Sequence, residues 1–140
     1  MAQKMEYIHT VQYYETDKMG ITHHSNYIRW MEEARIDLLA QIGWDYPKLE
    51  AMGIVSPVIG VTCDYKRPTT FADKITITAT MKDFGGVKYT FDYEMKNQDG
   101  TIVCTGSSFH ALLNTAGRPV RMKRDYPQLF ETLTDLFPQE

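Results

Sequence analysis

Between Tyr27 and Ile42, apolar side chains recur at helical spacing: Tyr27, Trp30, Met31, Ala34, Leu38 and Ile42. The i, i+3, i+4, i+7 pattern puts all six on one stripe of an α-helix, and so broad a stripe has to be buried against another element. Arg29, Glu32, Glu33 and Asp37 fall on other faces, with Arg29 and Glu33 spaced for an i,i+4 pair. Ser25 or Asn26 can cap the start, and Gly43 can supply the left-handed residue at the end. Downstream the apolar period changes to two. Ile75, Ile77, Ala79 and Met81 alternate with threonines, and Val87, Tyr89, Phe91, Tyr93 and Met95 alternate with polar residues. Alternation of this kind describes strands with one buried and one wet face. One long amphipathic helix plus half-buried strands predicts an α+β fold, with the helix lying on one face of a curved antiparallel sheet.

The remaining elements follow from β-favouring residues and turn chemistry. Tyr7, Ile8, Val11, Tyr13 and Tyr14 predict a first strand within 6–15. A weaker helical turn covers "YPKLEAMG" and ends at Gly53. "VSPVIGVTCDYKRP" reads as a strand that stops before Pro68. Gly85-Gly86 suits a tight hairpin, and Asp99-Gly100 marks the next turn. "TIVCTGSSFHALLN" becomes apolar on both faces near its end, as a more central strand would. From Tyr126 a short helix is expected, with Pro127 near its first position and Leu129, Phe130, Leu133, Leu136 and Phe137 on one side. No repeat or linker interrupts the 140 residues, so residues 1–140 read as one domain.

Composition removes several function classes. A net charge of −3 argues against nucleic acid as the main partner, because phosphate binding needs a basic surface. No apolar run is long enough for a membrane span, and the opening "MAQKMEYIHT" lacks the apolar core of a secretory signal, so a cytoplasmic location is expected. Cys63 and Cys104 lie in strand-like runs without a C-x-x-C and read as buried reduced thiols. His23 and His24 are adjacent, have no third ligand at metal spacing and do not predict a metal site. The "DFG" at Asp83–Gly85 is a hairpin turn rather than a magnesium motif. Without a G-x-G-x-x-G or a P-loop, no nucleotide cofactor is expected.

One loop is not explained by turn chemistry. "YYETDKMGITHHSNY", residues 13–27, combines acids, a glycine and two histidines immediately before the long helix. Gly20 permits a tight turn or a close backbone approach to a ligand. The helix start presents unpaired N–H groups and the positive end of its dipole. Asp17 and these donors therefore converge on one spot. Either the carboxylate interacts with the helix start, or the two form a reactive site; local physics leaves both open.

The stretch "YYETDKMGITHHSNYIRWMEEAR" closely resembles the 4-hydroxybenzoyl-CoA thioesterase family of the hotdog fold, including its bacterial acyl-CoA thioesterase branch. The shared pattern is carried by Asp17, Gly20, Tyr27, Trp30, Glu32, Ala34 and Arg35, and the likeness continues in "YKRPTTFADKITI" and "LLNTAGRPVRMK". The resemblance implies a sheet wrapped around the long helix, a homodimer or homotetramer with sites at the dimer interface, and acyl-CoA thioester hydrolysis. It implies Asp17 as nucleophile or general base and the backbone N–H of His24 as the group that polarises the thioester carbonyl. His24 matches the histidine of the acyl-CoA branch, where other members carry tyrosine. Asn26 and Tyr27 would shape the site. Coenzyme A is polyanionic, so an acidic chain needs a local basic patch; Lys66, Arg67 and Arg118 are the candidates, with Arg121, Lys123 and Arg124 near the last. Two rivals share the fold: a dehydratase acting on acyl carrier protein, whose P-G-H-P-type stretch is absent, and a non-catalytic acyl-CoA binding protein.

Overall fold

A computed structural model describes residues 5–138. Its elements are β1 (Met5–Thr10), a 3₁₀ turn (Tyr13–Glu15), α1 (Ser25–Gln41), α2 (Tyr46–Ala51), β2 (Val58–Tyr65), β3 (Lys74–Lys82), β4 (Lys88–Lys96), β5 (Ile102–Ala111), α3 (Met122–Asp125) and α4 (Pro127–Leu136). The five strands form one antiparallel sheet in the order β1-β3-β4-β5-β2. The helix α1 packs against it, as the hotdog resemblance implies. The alternating residues of β3 supply the packing face: Ile75, Ile77, Ala79 and Met81 are all buried. Trp30, Met31 and Leu38 meet them from α1, and Leu133 and Phe137 close the core from the C-terminal end. Strand β5 lies inside the sheet between β4 and β2, in agreement with its two-sided apolar character.

Several sequence expectations need correction. The first strand stops at Thr10 rather than running to residue 15. Beyond it the chain turns so that the Glu15 carboxylate becomes buried, where it accepts hydrogen bonds from the Gln12 N–H (2.8 Å) and Trp30 Nε1 (2.8 Å) and contacts His9 Nε2 (2.8 Å). Neither Ser25 nor Asn26 caps α1; the cap position is His24, without a side-chain hydrogen bond to the helix. Arg29 does not pair with Glu33, whose carboxylate accepts from Tyr7 Oη (2.7 Å) and contacts His9 Nδ1 (3.1 Å). The connection at Gly85-Gly86 is a loop over 83–87 rather than a two-residue turn, with Asp83 and Gly85 both at positive φ. Gly43, Gly53 and Gly100 do take the left-handed conformation at the expected ends and turn. Cys63 and Cys104 are free thiols, the first only half-buried. Among the described residues no helix is long and apolar enough to cross a membrane.

Candidate active site

The loop between the 3₁₀ turn and α1 is held from two sides. Thr16 bridges to Thr22, which closes the loop on itself. The segment after β2 staples it down: Thr22 N–H donates to the Thr69 carbonyl (2.8 Å), the Thr22 and Thr69 hydroxyls meet at 2.6 Å, and the Thr70 hydroxyl donates to the Gly20 carbonyl (2.9 Å). Gly20 has φ +80 and open space around its α-carbon, so the turn rather than tight packing calls for glycine. Gly20 itself is exposed and does not line the groove formed here, which its neighbours Met19 and Ile21 do.

Asp17 is half-buried at this turn. Its Oδ1 accepts the Met19 N–H (2.8 Å), which fixes the carboxylate, while Oδ2 has no hydrogen bond among the described residues. The start of α1 lies opposite. Ser25 N–H is taken by His23 Nδ1, Asn26 N–H by the His23 carbonyl and Tyr27 N–H by the His24 carbonyl. The His24 N–H donates to no group among the described residues. The first turn thus leaves the His24 N–H open, and His24 lines the same groove as Asp17.

Asp17, His24, Tyr27, Lys66 and Arg67 all line one open groove, together with Met19, Ile21, Tyr65 and Pro68. Tyr27 is buried and shapes the floor: its hydroxyl bonds the Thr69 hydroxyl (3.0 Å), and burial raises its pKa. Lys66 and Arg67 are exposed at the rim, with Lys66 Nζ only 3.8 Å from Asp64. The His24 ring stacks on His23 and is exposed, so its position does not mark the imidazole as the working group.

Besides Gly20, two expected site residues lie outside the groove. Asn26 is buried, and its amide donates to the carbonyls of Glu15 (3.0 Å) and His23 (3.2 Å); it ties the helix start to the 3₁₀ turn and does not line the groove. Arg118 belongs to the turn after β5, near Leu113 and Pro119. The groove lies at the opposite end of the β2–β5 ladder, where Tyr65 pairs with Cys104. Tyr65 itself escaped the sequence reading. Its hydroxyl donates to the His24 carbonyl (3.2 Å) and its ring edges onto Tyr27, so it braces the helix start from the strand side. A tyrosine immediately before Lys-Arg-Pro carries no local signal of that role. No group of metal-ligating side chains occurs among the described residues.

The profile of the thioesterase-like superfamily matches residues 11–134. A Bacillus subtilis protein bearing the name "Putative acyl-CoA thioesterase YneP" is 30% identical over 84% of this chain and 86% of its own length. The 1,4-dihydroxy-2-naphthoyl-CoA hydrolase of Thermosynechococcus vestitus is 25% identical over 81% of this chain and 78% of its own. Among solved structures, the DHNA-CoA thioesterase of Staphylococcus aureus superposes with a TM-score of 0.88 at 28% identity, covering 95% of this chain and 90% of that one. With a matching profile across most of its length and the same fold, the chain belongs to the thioesterase-like superfamily.

Proposed function

We propose that this chain is an acyl-CoA thioesterase in which Asp17 acts as nucleophile or general base and the His24 N–H stabilises the oxyanion. The observation that carries the reading is the pairing of a fixed carboxylate, one oxygen free, with an open helix-start donor in one groove. The chemistry asks for little more. A thiolate leaves readily, its thiol having a pKa near ~8.5 by the cysteine reference, so strong general-acid help is unnecessary. Either Asp17 attacks the carbonyl carbon, giving an acyl-aspartyl anhydride that water then cleaves, or it takes a proton from the attacking water. In both routes a carbon–oxygen bond forms at the thioester carbon and the carbon–sulfur bond breaks; the new oxygen of the free acid comes from Asp17 when water cleaves the anhydride at the Asp17 carbonyl, and from water when Asp17 acts as a base. One preorganised oxyanion donor is typically worth about a hundred- to thousand-fold in rate. Lys66 and Arg67, at the groove rim, fit the anionic end of coenzyme A. The acyl-CoA names of the relatives above support the same substrate class.

The test is Asp17→Asn with release of free thiol from a panel of acyl-CoAs. Turnover should fall at least about a hundred-fold, the lower end for losing a general base, in a protein that stays folded. Near-normal turnover in the folded variant would return the loop to a structural role. A single turnover in oxygen-18 water tests for an anhydride cleaved at the Asp17 carbonyl: label in the Asp17 carboxylate marks that route, and label confined to the product acid places the attack of water at the acyl carbon.

The working unit in this reading is a homo-oligomer. The β2 edge carries exposed Val58, Ile59, Val61 and Tyr65 beside unpaired backbone, and a second copy would cover it.

A further inference from the structure

The loop that carries Asp17 is a two-stranded hairpin in miniature. Thr16 bridges Thr22 at its centre, the Asp17 N–H donates to the Ile21 carbonyl (2.8 Å), and the His23 N–H donates to the Glu15 carbonyl (2.8 Å). That same carbonyl accepts from the Asn26 amide (3.0 Å). One backbone oxygen of Glu15 thus holds residues on both sides of His24. Whatever fixes Glu15 therefore fixes the direction of the His24 N–H, which donates to no group among the described residues.

Glu15 is fixed by its side chain. The carboxylate is only 5% exposed and is reached from three segments. Its Oε1 accepts the Gln12 N–H (2.8 Å) and lies 2.8 Å from His9 Nε2, and its Oε2 accepts Trp30 Nε1 (2.8 Å). An ionised carboxylate only accepts, so His9 Nε2 is the donor in that contact. Burial opposes the charge on Glu15, but the hydrogen bonds from Gln12, His9 and Trp30 outweigh it and hold its pKa below the ordinary value. His9 is set in turn by the sheet. It pairs with Ile75 across β1 and β3, its ring lies against Trp30 with centroids 4.7 Å apart, and its Nδ1 faces Glu33 Oε1 at 3.1 Å. Neither His9 nor Glu15 lines the Asp17 groove, and the proposed reaction gives neither of them a step.

Stability alone is a weak reason for this arrangement. Burying a charged pair costs desolvation that its attraction often fails to repay, and apolar residues of the same volume are commonly as stable. What charged hydrogen bonds add is direction. An oxyanion donor needs direction, because it works only at about 2.7–3.1 Å from the atom that becomes negative. We propose, on the Asp17–His24 reading above, that His9 and Glu15 are positioning residues for thioester hydrolysis: a relay from the sheet that holds the His24 N–H in line with the oxyanion.

A double-mutant cycle tests this in the full chain, read as thiol release from the acyl-CoA that the parent hydrolyses fastest. His9→Phe keeps a ring against Trp30 and removes both polar contacts. In the folded variant kcat should fall about ten- to hundred-fold, the upper figure being the cost of a misplacement of about 1 Å. KM should stay within about threefold, because the contacts that bind substrate are untouched. Glu15→Gln, which keeps the shape but turns one acceptor into a donor, should behave alike. In the His24→Pro background, where the donor is already gone, His9→Phe should cost less than about threefold. A pair that only held the fold together would cost the same factor in both backgrounds. Should His9→Phe not fold, Trp30→Phe, which removes the indole donor to Glu15, takes its place in the cycle. The proposal is overturned if the folded variant keeps kcat within about twofold of the parent, if KM rises instead, or if the loss is equal in both backgrounds. Asp17→Asn separates this outcome from a failure of the site reading. Near-normal turnover in Asp17→Asn removes both, whereas a collapse there beside an unaffected His9→Phe removes only the positioning pair.

Discussion

In the proposed mechanism His24 contributes its backbone N–H, an atom that replacing its side chain leaves in place. His24→Ala keeps the open N–H and should retain turnover within about an order of magnitude of the parent, well short of the loss expected for an oxyanion donor. His24→Pro removes that N–H. The backbone there has φ −58, already the value proline imposes, and the N–H has no helical partner to lose. Turnover of His24→Pro should fall about a hundred- to thousand-fold, with circular dichroism showing α1 still formed. Equal collapse in both variants would move the chemistry to the imidazole. His110 is the residue with a pH consequence. Burial first, and the Arg35 charge second, push its pKa down to about 4 from the ordinary 6.5. The unfolded chain therefore binds this proton below pH 6.5 while the folded chain does so only below 4. Stability from this residue is fully present above 6.5 and is lost as pH falls to 4, by about 3 kcal/mol for such a gap. Urea unfolding at pH 7, 5.5 and 4 checks it; the slope with pH should flatten in His110→Gln, and parallel slopes would count against the assignment. Glu15 adds a separate loss at lower pH. Burial opposes its charge, but the hydrogen bonds from Gln12, His9 and Trp30 outweigh this and lower its pKa, so its contribution disappears only as pH falls through that lowered value.

At the scale of elements, the contact of α1 and β2 across β5 depends on an absent side chain. A β-carbon at Gly106 would lie 2.3 Å from the Thr62 carbonyl oxygen and 2.7 Å from Met31 Cε. The methionine can swing away, but the backbone of β2 cannot move without disturbing its ladder. Gly106→Ala should destabilise the fold by about 1–3 kcal/mol, the usual cost of overpacking, read as a lowered Tm in thermal unfolding. An unchanged Tm would mean that β2 yields more easily than its pairing suggests. The start of α1 depends on another such long-range contact. Its orientation comes from Glu15, Asn26 and Trp30, which tie the helix to the 3₁₀ turn, and from Tyr65, which holds the His24 carbonyl from across the sheet. That bracing fixes the helix start, whose His24 lines the groove.

For the molecule as a whole, the apolar edge at β2 bears on assembly. Ile59 is 53% exposed and Phe109 on the neighbouring strand 37%, a patch that a lone domain would not need. The parent protein should sediment as a dimer or tetramer at micromolar concentration, and Ile59→Lys should shift it toward monomer by placing a charge on that edge. A fully active parent monomer would defeat the assembly reading.

The helix stripe from Tyr27 to Leu38, the alternation in β3 and β4, and the Asp17–Gly20 turn were legible because each follows from a local period or a single backbone requirement. Those signals were enough for the α+β class and for the loop that carries the candidate site. Tertiary structure decided what depends on partners distant in the chain. Glu15, one acid among several in the sequence, became the buried anchor of the helix start because His9 and Trp30 converge on it. Asn26 turned from a candidate ligand contact into a strut because the Glu15 carbonyl lies within its reach. Lys66 and Arg67 entered the groove and Arg118 did not, because β2 and β5 run antiparallel and send their following turns to opposite ends of the sheet. Arg35 reads as one more charge on a helix, and only packing against Tyr93 and the inner sheet leaves it buried without an anion. Periodicity records which face of an element is buried, but the identity of the group it meets there depends on how strands far apart in sequence are registered.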